Sequence, residues 1–88
     1  MISFQEISND KTLAHLPVGV KARVISVGGA GSVARRLMEM GVVPGAPVSV
    51  VRVAPLGDPL QIRVRGYHLA LRRTEAQTIL VSAVTDDE

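Results

Sequence analysis

Apolar and polar positions alternate over much of the chain, which predicts a protein built mainly from short β-strands. Between residues 60 and 65 every second position is aliphatic, and the positions between them are Gln or Arg. This period of two is typical of a strand with one buried face. Weaker alternation at 21–27 and 67–72, with a segment rich in β-branched valine at 48–53 and an aliphatic run at 79–81, predicts four more strands. Strands this short cannot each bury a face alone, so the pattern favours a small five-stranded barrel with a short inserted α-helix.

A second spacing, with apolar residues three and four positions apart, predicts that helix at about residues 32–40. Ser32 is suited to be its N-cap, and Gly41 is suited to the left-handed conformation that ends a helix. Single helical turns are predicted at 12–16 and 74–77. The first four residues are compatible with a short edge strand.

The length of 88 residues fits one small domain. We assign residues 1–84 to the barrel and residues 85–88 to an acidic C-terminal tail. Phe4 and Tyr67 are the only aromatic residues, so the core must be aliphatic. The chain is far below the roughly 250 residues that a (β/α)₈ barrel needs.

The cysteine count and the hydropathy pattern point to a cytoplasmic location. The chain has no cysteine, which excludes disulfides, thiolate metal sites and cysteine nucleophiles. The N-terminus does not resemble a signal peptide, and no apolar run approaches the roughly 20 residues of a membrane span. We therefore expect a soluble protein that meets a membrane only through a partner.

The segment at residues 29–34 matches the pattern G-x-G-x-x-A of a dinucleotide-binding turn, but the surrounding sequence argues against that function. The helix that follows is too short to be the crossover of a parallel sheet. No Asp or Glu stands between Met40 and Gly57, where the ribose of a dinucleotide would need one. We interpret the segment as a loop that leads into the helix.

Candidate catalytic groups are few. His15 and His68 are the only histidines, and neither has a nearby acid or second histidine that suggests a triad or a metal cage. We predict no catalytic residue and no required cofactor. An adventitious Zn²⁺ or Fe²⁺ at His15 or His68, completed by a neighbouring molecule, is the weaker alternative.

Arginine dominates the charge and suggests a docking surface. Eight of the ten basic residues are Arg, and three of the eight acidic residues are the last three of the chain. Arginine makes bidentate contacts with carboxylates, so such a surface is suited to an acidic partner. With an exposed Met and the stiff loop at residues 54–59, these arginines give the candidate contact residues: Arg35, Arg36, Met38, Leu56, Asp58, Arg63 and Arg65.

Each of these residues also has a simpler interpretation. The arginines are compatible with a solvated barrel exterior in which Glu39 and Glu75 pair locally. Asp58 is suited to capping backbone amides in a turn, and Met38 is suited to the core beside Leu37. An exposed sheet edge or apolar helix patch is compatible with weak self-association.

A nucleic-acid-binding barrel is a further alternative, because the body of the chain is basic. Such sites usually stack bases on exposed aromatic side chains. Only Phe4 and Tyr67 are available, and the alternation with Leu69 and Leu71 predicts that Tyr67 points inward. A protein partner is therefore preferred.

Four segments resemble the ferrous iron transport protein A (FeoA) family, in the family's order. Residues 35–45, RRLMEMGVVPG, resemble its R-L-x-E-M-G-x-x-P-G signature, and residues 54–59, APLGDP, resemble its A-P-x-G-D-P loop. Residues 71–76, LRRTEA, are similar to its L-R-x-x-E-A segment, and residues 13–19 are similar to its opening L-x-x-L-x-x-G. Together they span nearly the whole chain.

The resemblance implies a Src-homology-3-like barrel in a free-standing, single-domain form. It also implies an accessory protein of bacterial ferrous iron uptake that docks on the cytosolic, GTP-binding part of the membrane permease FeoB. An alternative within the family resemblance is an activator of GTP hydrolysis that supplies Arg35 or Arg36 in trans.

Overall fold

Six strands form one antiparallel sheet in the computed structural model, which describes residues 10–29 and 31–84. The strands are β1 (Asp10–Thr12), β2 (Lys21–Val27), β3 (Pro47–Val53), β4 (Leu60–Val64), β5 (Tyr67–Leu71) and β6 (Ile79–Ala83). Their order across the sheet is β1-β6-β2-β3-β4-β5. A 3₁₀ turn (Leu13–His15) follows β1, helix α1 (Gly31–Glu39) joins β2 to β3, and helix α2 (Arg73–Ala76) joins β5 to β6.

The mainly β class and the inserted helix are confirmed, and the five predicted strands correspond to β2–β6. The sixth strand, β1, was not predicted. Its three residues, Asp10–Thr12, are all polar, so they show no alternation, and they become a strand only by pairing with β6. The predicted edge strand in the first four residues and the acidic tail at 85–88 lie outside the described residues.

The core is aliphatic, as the composition requires. In the described part of the chain every buried residue is apolar and belongs to one cluster. The inner face of the sheet supplies most of that cluster, and Leu37 from α1 and Leu13 from the 3₁₀ turn complete it at 0% exposure. With no aromatic ring in it, this core depends on the curved sheet to bring branched side chains into contact.

The outermost strands β1 and β5 do not pair with each other. The 3₁₀ turn, which follows β1 directly, packs against α2 and β6.

Helix α1 ends at the glycine that was predicted to stop it. Gly41 has φ +100°, its N–H donates to the Met38 carbonyl, and the Val42 N–H donates to the Leu37 carbonyl. This pair of bonds is the Schellman arrangement, which satisfies carbonyls that have no partner within the helix. At the other end α1 begins at Gly31, so Ser32 is its second residue and the prediction of Ser32 as N-cap was wrong by two residues.

No helix in residues 10–29 and 31–84 has the length and apolar character needed to cross a bilayer.

Substituting Gly41 with alanine should destabilise the protein. A Cβ at Gly41 would lie 3.0 Å from Cδ of Arg65, and the backbone there is left-handed. We expect a loss of about 1–2 kcal/mol in the free energy of unfolding, measured by urea denaturation. The matched control is Gly31→Ala, where a Cβ meets nothing within 4 Å. Equal stability of the two variants would contradict this account of the helix end.

Candidate protein-docking surface

The loop between β3 and β4 presents Leu56 to solvent. Leu56 is 96% exposed, the highest value among the large apolar residues of the described chain. The loop is a closed turn, because the Gly57 N–H donates to the Ala54 carbonyl at 2.8 Å and the Ala54 N–H donates to the Pro59 carbonyl at 3.1 Å. A stiff loop with an exposed leucine loses little conformational entropy on binding.

Asp58, in the same loop, is engaged inside the molecule. Its Oδ1 accepts a hydrogen bond at 2.9 Å from the backbone N–H of Arg73, the first residue of α2. A carboxylate at a helix N-terminus satisfies a free amide and favours the helix dipole. The structure therefore gives Asp58 the capping role that was its simpler interpretation.

Arg73 differs from the other arginines of the described chain because it is half-buried and its guanidinium bonds to two backbone carbonyls. Nε donates to the Gly57 carbonyl and Nη1 donates to the Ala14 carbonyl, each at 2.9 Å. Arg73 is the first residue of α2 and lies outside the strands of the sheet. Its side chain ties the Leu56 loop to the 3₁₀ turn.

Helix α1 presents Arg35, Arg36 and Met38 to solvent. Arg36 Nη2 forms an ion pair at 2.6 Å with Glu75 Oε2, which confirms the local pairing expected for Glu75. Arg35 makes no hydrogen bond or ion pair within the described residues. Met38 is 45% exposed, so its alternative placement in the core was wrong, whereas Leu37 is fully buried.

The outer face of the sheet carries a basic row that crosses four strands. The register aligns Lys21 of β2 with Ser49, Ser49 with Arg63 of β4, and Arg63 with His68 of β5. Arg52 of β3 lies in a neighbouring row, opposite Gln61. No Asp or Glu occurs in strands β2–β6, so the charged residues that these strands place on this face are all basic. We call it the basic face.

Arg65 lies at the end of this face, in the two-residue turn between β4 and β5. Arg65 has φ +51° and Gly66 has φ +85°, the pattern of a type I′ turn. A non-glycine residue in this conformation is strained unless it is Asn or Asp. The aliphatic part of the Arg65 side chain passes over Gly41 at the end of α1, where a positive charge is favourable to the helix dipole.

Tyr67 is 66% exposed, so the prediction that it points inward was wrong. It lies on the same side of β5 as Leu69 and the buried Leu71, but at the turn end nothing in the described chain covers that side. An open groove of about 390 Å³ runs there between α1 and β5, with Met40, Arg65, Tyr67 and Leu69 among its lining residues.

The two histidines lie in different elements, His15 in the 3₁₀ turn and His68 in β5. His15 Nδ1 lies 2.9 Å from Oγ1 of Thr12, and His68 lies on the basic face. Within residues 10–29 and 31–84 no three His, Asp or Glu side chains come together around one point.

Sequence reasoning missed the basic row and the exposure of Tyr67. The row depends on which residues face one another across four strands, and a single sequence does not give that register. The excess of arginine and the absence of acids from the predicted strands were the available signals.

Known proteins with similar sequences belong to the same family that the motifs resemble. The family model for the FeoA domain matches residues 11–83. An Fe(2+) transport protein A/Fe(2+) transporter FeoB fusion protein of Porphyromonas gingivalis is 37% identical over 75 residues, which are 85% of this chain and 9% of that protein. The chain therefore spans only a small part of that relative.

Two solved structures share the fold. The FeoA protein of Chlorobium tepidum superposes with a TM-score of 0.81 at 44% identity, covering 88% of this chain and 73% of that one. The FeoA of Stenotrophomonas maltophilia, determined with zinc and described as a prokaryotic SH3 domain protein, gives 0.73 at 39% identity over 81% of this chain and 88% of that one.

Replacing Arg73 with glutamine should lower stability, since two half-buried carbonyls would lose a charged donor. We expect a loss of about 2–4 kcal/mol in the free energy of unfolding. The control is Arg72→Gln next to it, where an exposed side chain should change stability by less than about 0.5 kcal/mol. Matching urea midpoints for the two variants would contradict the bridging role of Arg73.

Proposed function

This chain belongs to the FeoA family, and from that membership we propose that it is a cytoplasmic, non-enzymatic accessory protein of ferrous iron uptake that docks on the cytosolic part of the FeoB permease. The observation that carries the proposal is the fusion protein of Porphyromonas gingivalis, in which a region similar to this chain is joined to FeoB. Joining two modules keeps their local concentration high, which serves a direct contact between them.

The surface of the chain is suited to such a contact. Leu56 and Met38 supply exposed apolar contacts, and Arg63 and Arg65 supply charge at the basic face. Apolar anchors surrounded by arginine are typical of protein interfaces. Arg36 and Asp58 contribute to docking indirectly, by holding α2 in place. Arg36 is bonded to Glu75 of that helix, and Asp58 is bonded to the backbone of Arg73.

We propose that docking requires no metal. His15 is bonded to Thr12, and neither it nor His68 belongs to a cluster of acids and histidines in the described chain. A Zn²⁺ or Fe²⁺ at either histidine would need most of its ligands from a second molecule. In this proposal Fe²⁺ is the cargo of the permease, and the contact between the two proteins is made by side chains.

A protein partner is still favoured over nucleic acid, although Tyr67 is exposed. One aromatic side chain gives one stacking platform, whereas single-stranded sites use several. Retention on mixed oligonucleotides that falls steeply with salt would favour nucleic acid instead.

A second candidate is activation of the permease's GTP hydrolysis, and the freedom of Arg35 favours it. Arg36 is held by Glu75, whereas Arg35 on the same helix has no bonded partner in the described chain. An arginine that enters an active site in trans must be able to leave its own surface, and it then stabilises charge in phosphoryl transfer.

Docking should depend on Leu56. We expect Leu56→Ala to weaken binding to the purified cytosolic domain of FeoB about tenfold in isothermal titration, as loss of an interface anchor does. Its stability should be unchanged, because the side chain is exposed. Val18→Ala is the matched control, and EDTA should leave the affinity unchanged. Absence of heat and of co-elution at tens of micromolar would contradict docking to this domain.

The GTP hypothesis is tested by turnover of the same permease domain. If this chain activates hydrolysis, Arg35→Ala should remove the stimulation and leave the binding affinity within about threefold, since an arginine in trans acts on the transition state. Arg36→Ala, on the same helix, is the comparison variant that shows which of the two arginines is needed for the stimulation. An unchanged turnover rate on adding the wild-type chain would eliminate this function and leave docking intact.

A further inference from the structure

The free edge of β5 is the one long strand edge in the described chain that nothing pairs with. β5 is last in the sheet order, and its only strand neighbour is β4. The other outer strand, β1, has three residues, whereas β5 has five and is about 17 Å long. Short edge strands are protected by their length, and longer ones need other protection.

β5 has none of the usual protective features. Its sequence, YHLAL, contains no proline and no lysine. Its register with β4 is continuous from Leu60↔Leu71 to Val64↔Tyr67, whereas β2–β6 and β3–β4 each contain an irregularity. A regular, unbulged edge is a template for another strand.

The register with β4 determines which backbone N–H and C=O groups of β5 are available to a further strand. A two-residue turn makes Val64 and Tyr67 a hydrogen-bonded pair, and such pairs alternate along an antiparallel ladder. Leu69 therefore bonds to Ile62, and the N–H and C=O groups of His68 and Ala70 point away from β4. No backbone bond from the described residues outside the strands reaches them.

The two sides of the edge differ in chemistry. On one side lies a groove whose apolar lining is Met40, Tyr67 and Leu69, at the margin of the core, with Glu39, Arg65 and His68 also lining it. On the other side a shallow groove of about 360 Å³ includes Arg52, Gln61 and His68, on the basic face. A strand added to β5 would place alternate side chains on these two sides, because successive residues of a strand point in opposite directions.

We propose that β5 binds an extended segment of the permease's cytosolic part, with alternating apolar and acidic residues, as a seventh strand. The apolar side chains cover Tyr67 and Leu69, and the acidic side chains lie beside His68, on the face that also carries Arg63 and Arg52 on the next two strands. Main-chain bonds to His68 and Ala70 supply binding, and the two grooves supply specificity. This inference rests on the proposed function, since it names the segment that the same partner contributes.

Charge also argues against a second copy of this chain as the occupant. Two β5 strands placed side by side in antiparallel pairing would bring two basic faces together on the same side of the joint sheet. Arg63 and Arg52 of both copies would then add to one field of positive charge, which opposes self-association. An acidic segment removes that repulsion.

Backbone hydrogen exchange tests the proposal. We expect the amides of His68 and Ala70 to exchange about tenfold more slowly, or slower still, when the full chain is bound to the cytosolic domain of FeoB. The amides of Tyr67 and Leu69, already bonded to β4, should change little. Binding of the domain with His68 and Ala70 unchanged would overturn the strand addition and leave the proposed docking in place.

Substitution at Ala70 provides a matched pair. Ala70→Pro removes the outward N–H, and Ala70→Ser keeps it at the same exposed position. We expect about tenfold weaker binding for the proline variant only. Should the proline variant fail to fold, Arg63→Glu should weaken binding and reduce the protection, and Lys11→Glu on β1 should not. Equal binding by Ala70→Pro and Ala70→Ser, or by Arg63→Glu and Lys11→Glu, would overturn the proposal.

A synthetic peptide separates this inference from the proposed function. The probe is a capped hexapeptide of alternating Val and Glu, with a version of the same composition in block order as control. If the FeoB domain does not bind, the proposed docking fails, and protection of His68 and Ala70 by the alternating peptide alone still supports recognition at this edge. Equal protection by both peptides, or protection that grows with the concentration of the chain alone, would overturn it.

Discussion

The guanidinium of Arg73 holds together the part of the fold that the sheet leaves open. Strands β1 and β5 end the sheet without meeting, and the 3₁₀ turn, α2 and the 54–59 loop are three separate segments. Arg73 reaches the carbonyls of Ala14 and Gly57, and its own backbone N–H is taken by Asp58. Charged donors on half-buried carbonyls are among the stronger hydrogen bonds in proteins. One side chain therefore holds two segments against α2: the 3₁₀ turn after β1, and the 54–59 loop that carries Leu56.

The placement of acidic residues explains why this protein has a basic face. Glu75 and Asp58 are used at α2, where one pairs with Arg36 and the other caps the helix. The strands β2–β6 have none, so the arginines of the sheet have no neighbouring strand residue of opposite charge. A concentration of basic residues on one face adds repulsion to the folded state and attracts oppositely charged partners. The acids at α2 stabilise the compact fold, and the basic face is the part of the sheet that is suited to an acidic partner.

Sequence patterns gave the strands β2–β6, helix α1 and its stop at Gly41, because these depend on local periodicity and on one backbone conformation. They failed at β1, whose three polar residues become a strand only by pairing with β6. They also failed for Tyr67, where alternation was correct but the sheet edge leaves that side uncovered. Arg73 looked like any surface arginine, because its two carbonyl partners lie 59 and 16 residues away along the chain. In each case the sequence pattern did not show which distant segment of the chain the residues contact.

Three local features that are unfavourable for the isolated fold lie close together. Arg65 occupies a turn position where asparagine would be less strained, Tyr67 follows it with most of its surface in water, and β5 continues with unpaired main-chain groups. Natural sequences accept such local conflicts mainly where function requires them. The aliphatic core beneath shows no comparable conflict, since every buried residue in the described chain is apolar. This contrast supports the proposal that recognition occurs at the β4–β5 hairpin, on a scaffold that is otherwise consistent with its own sequence.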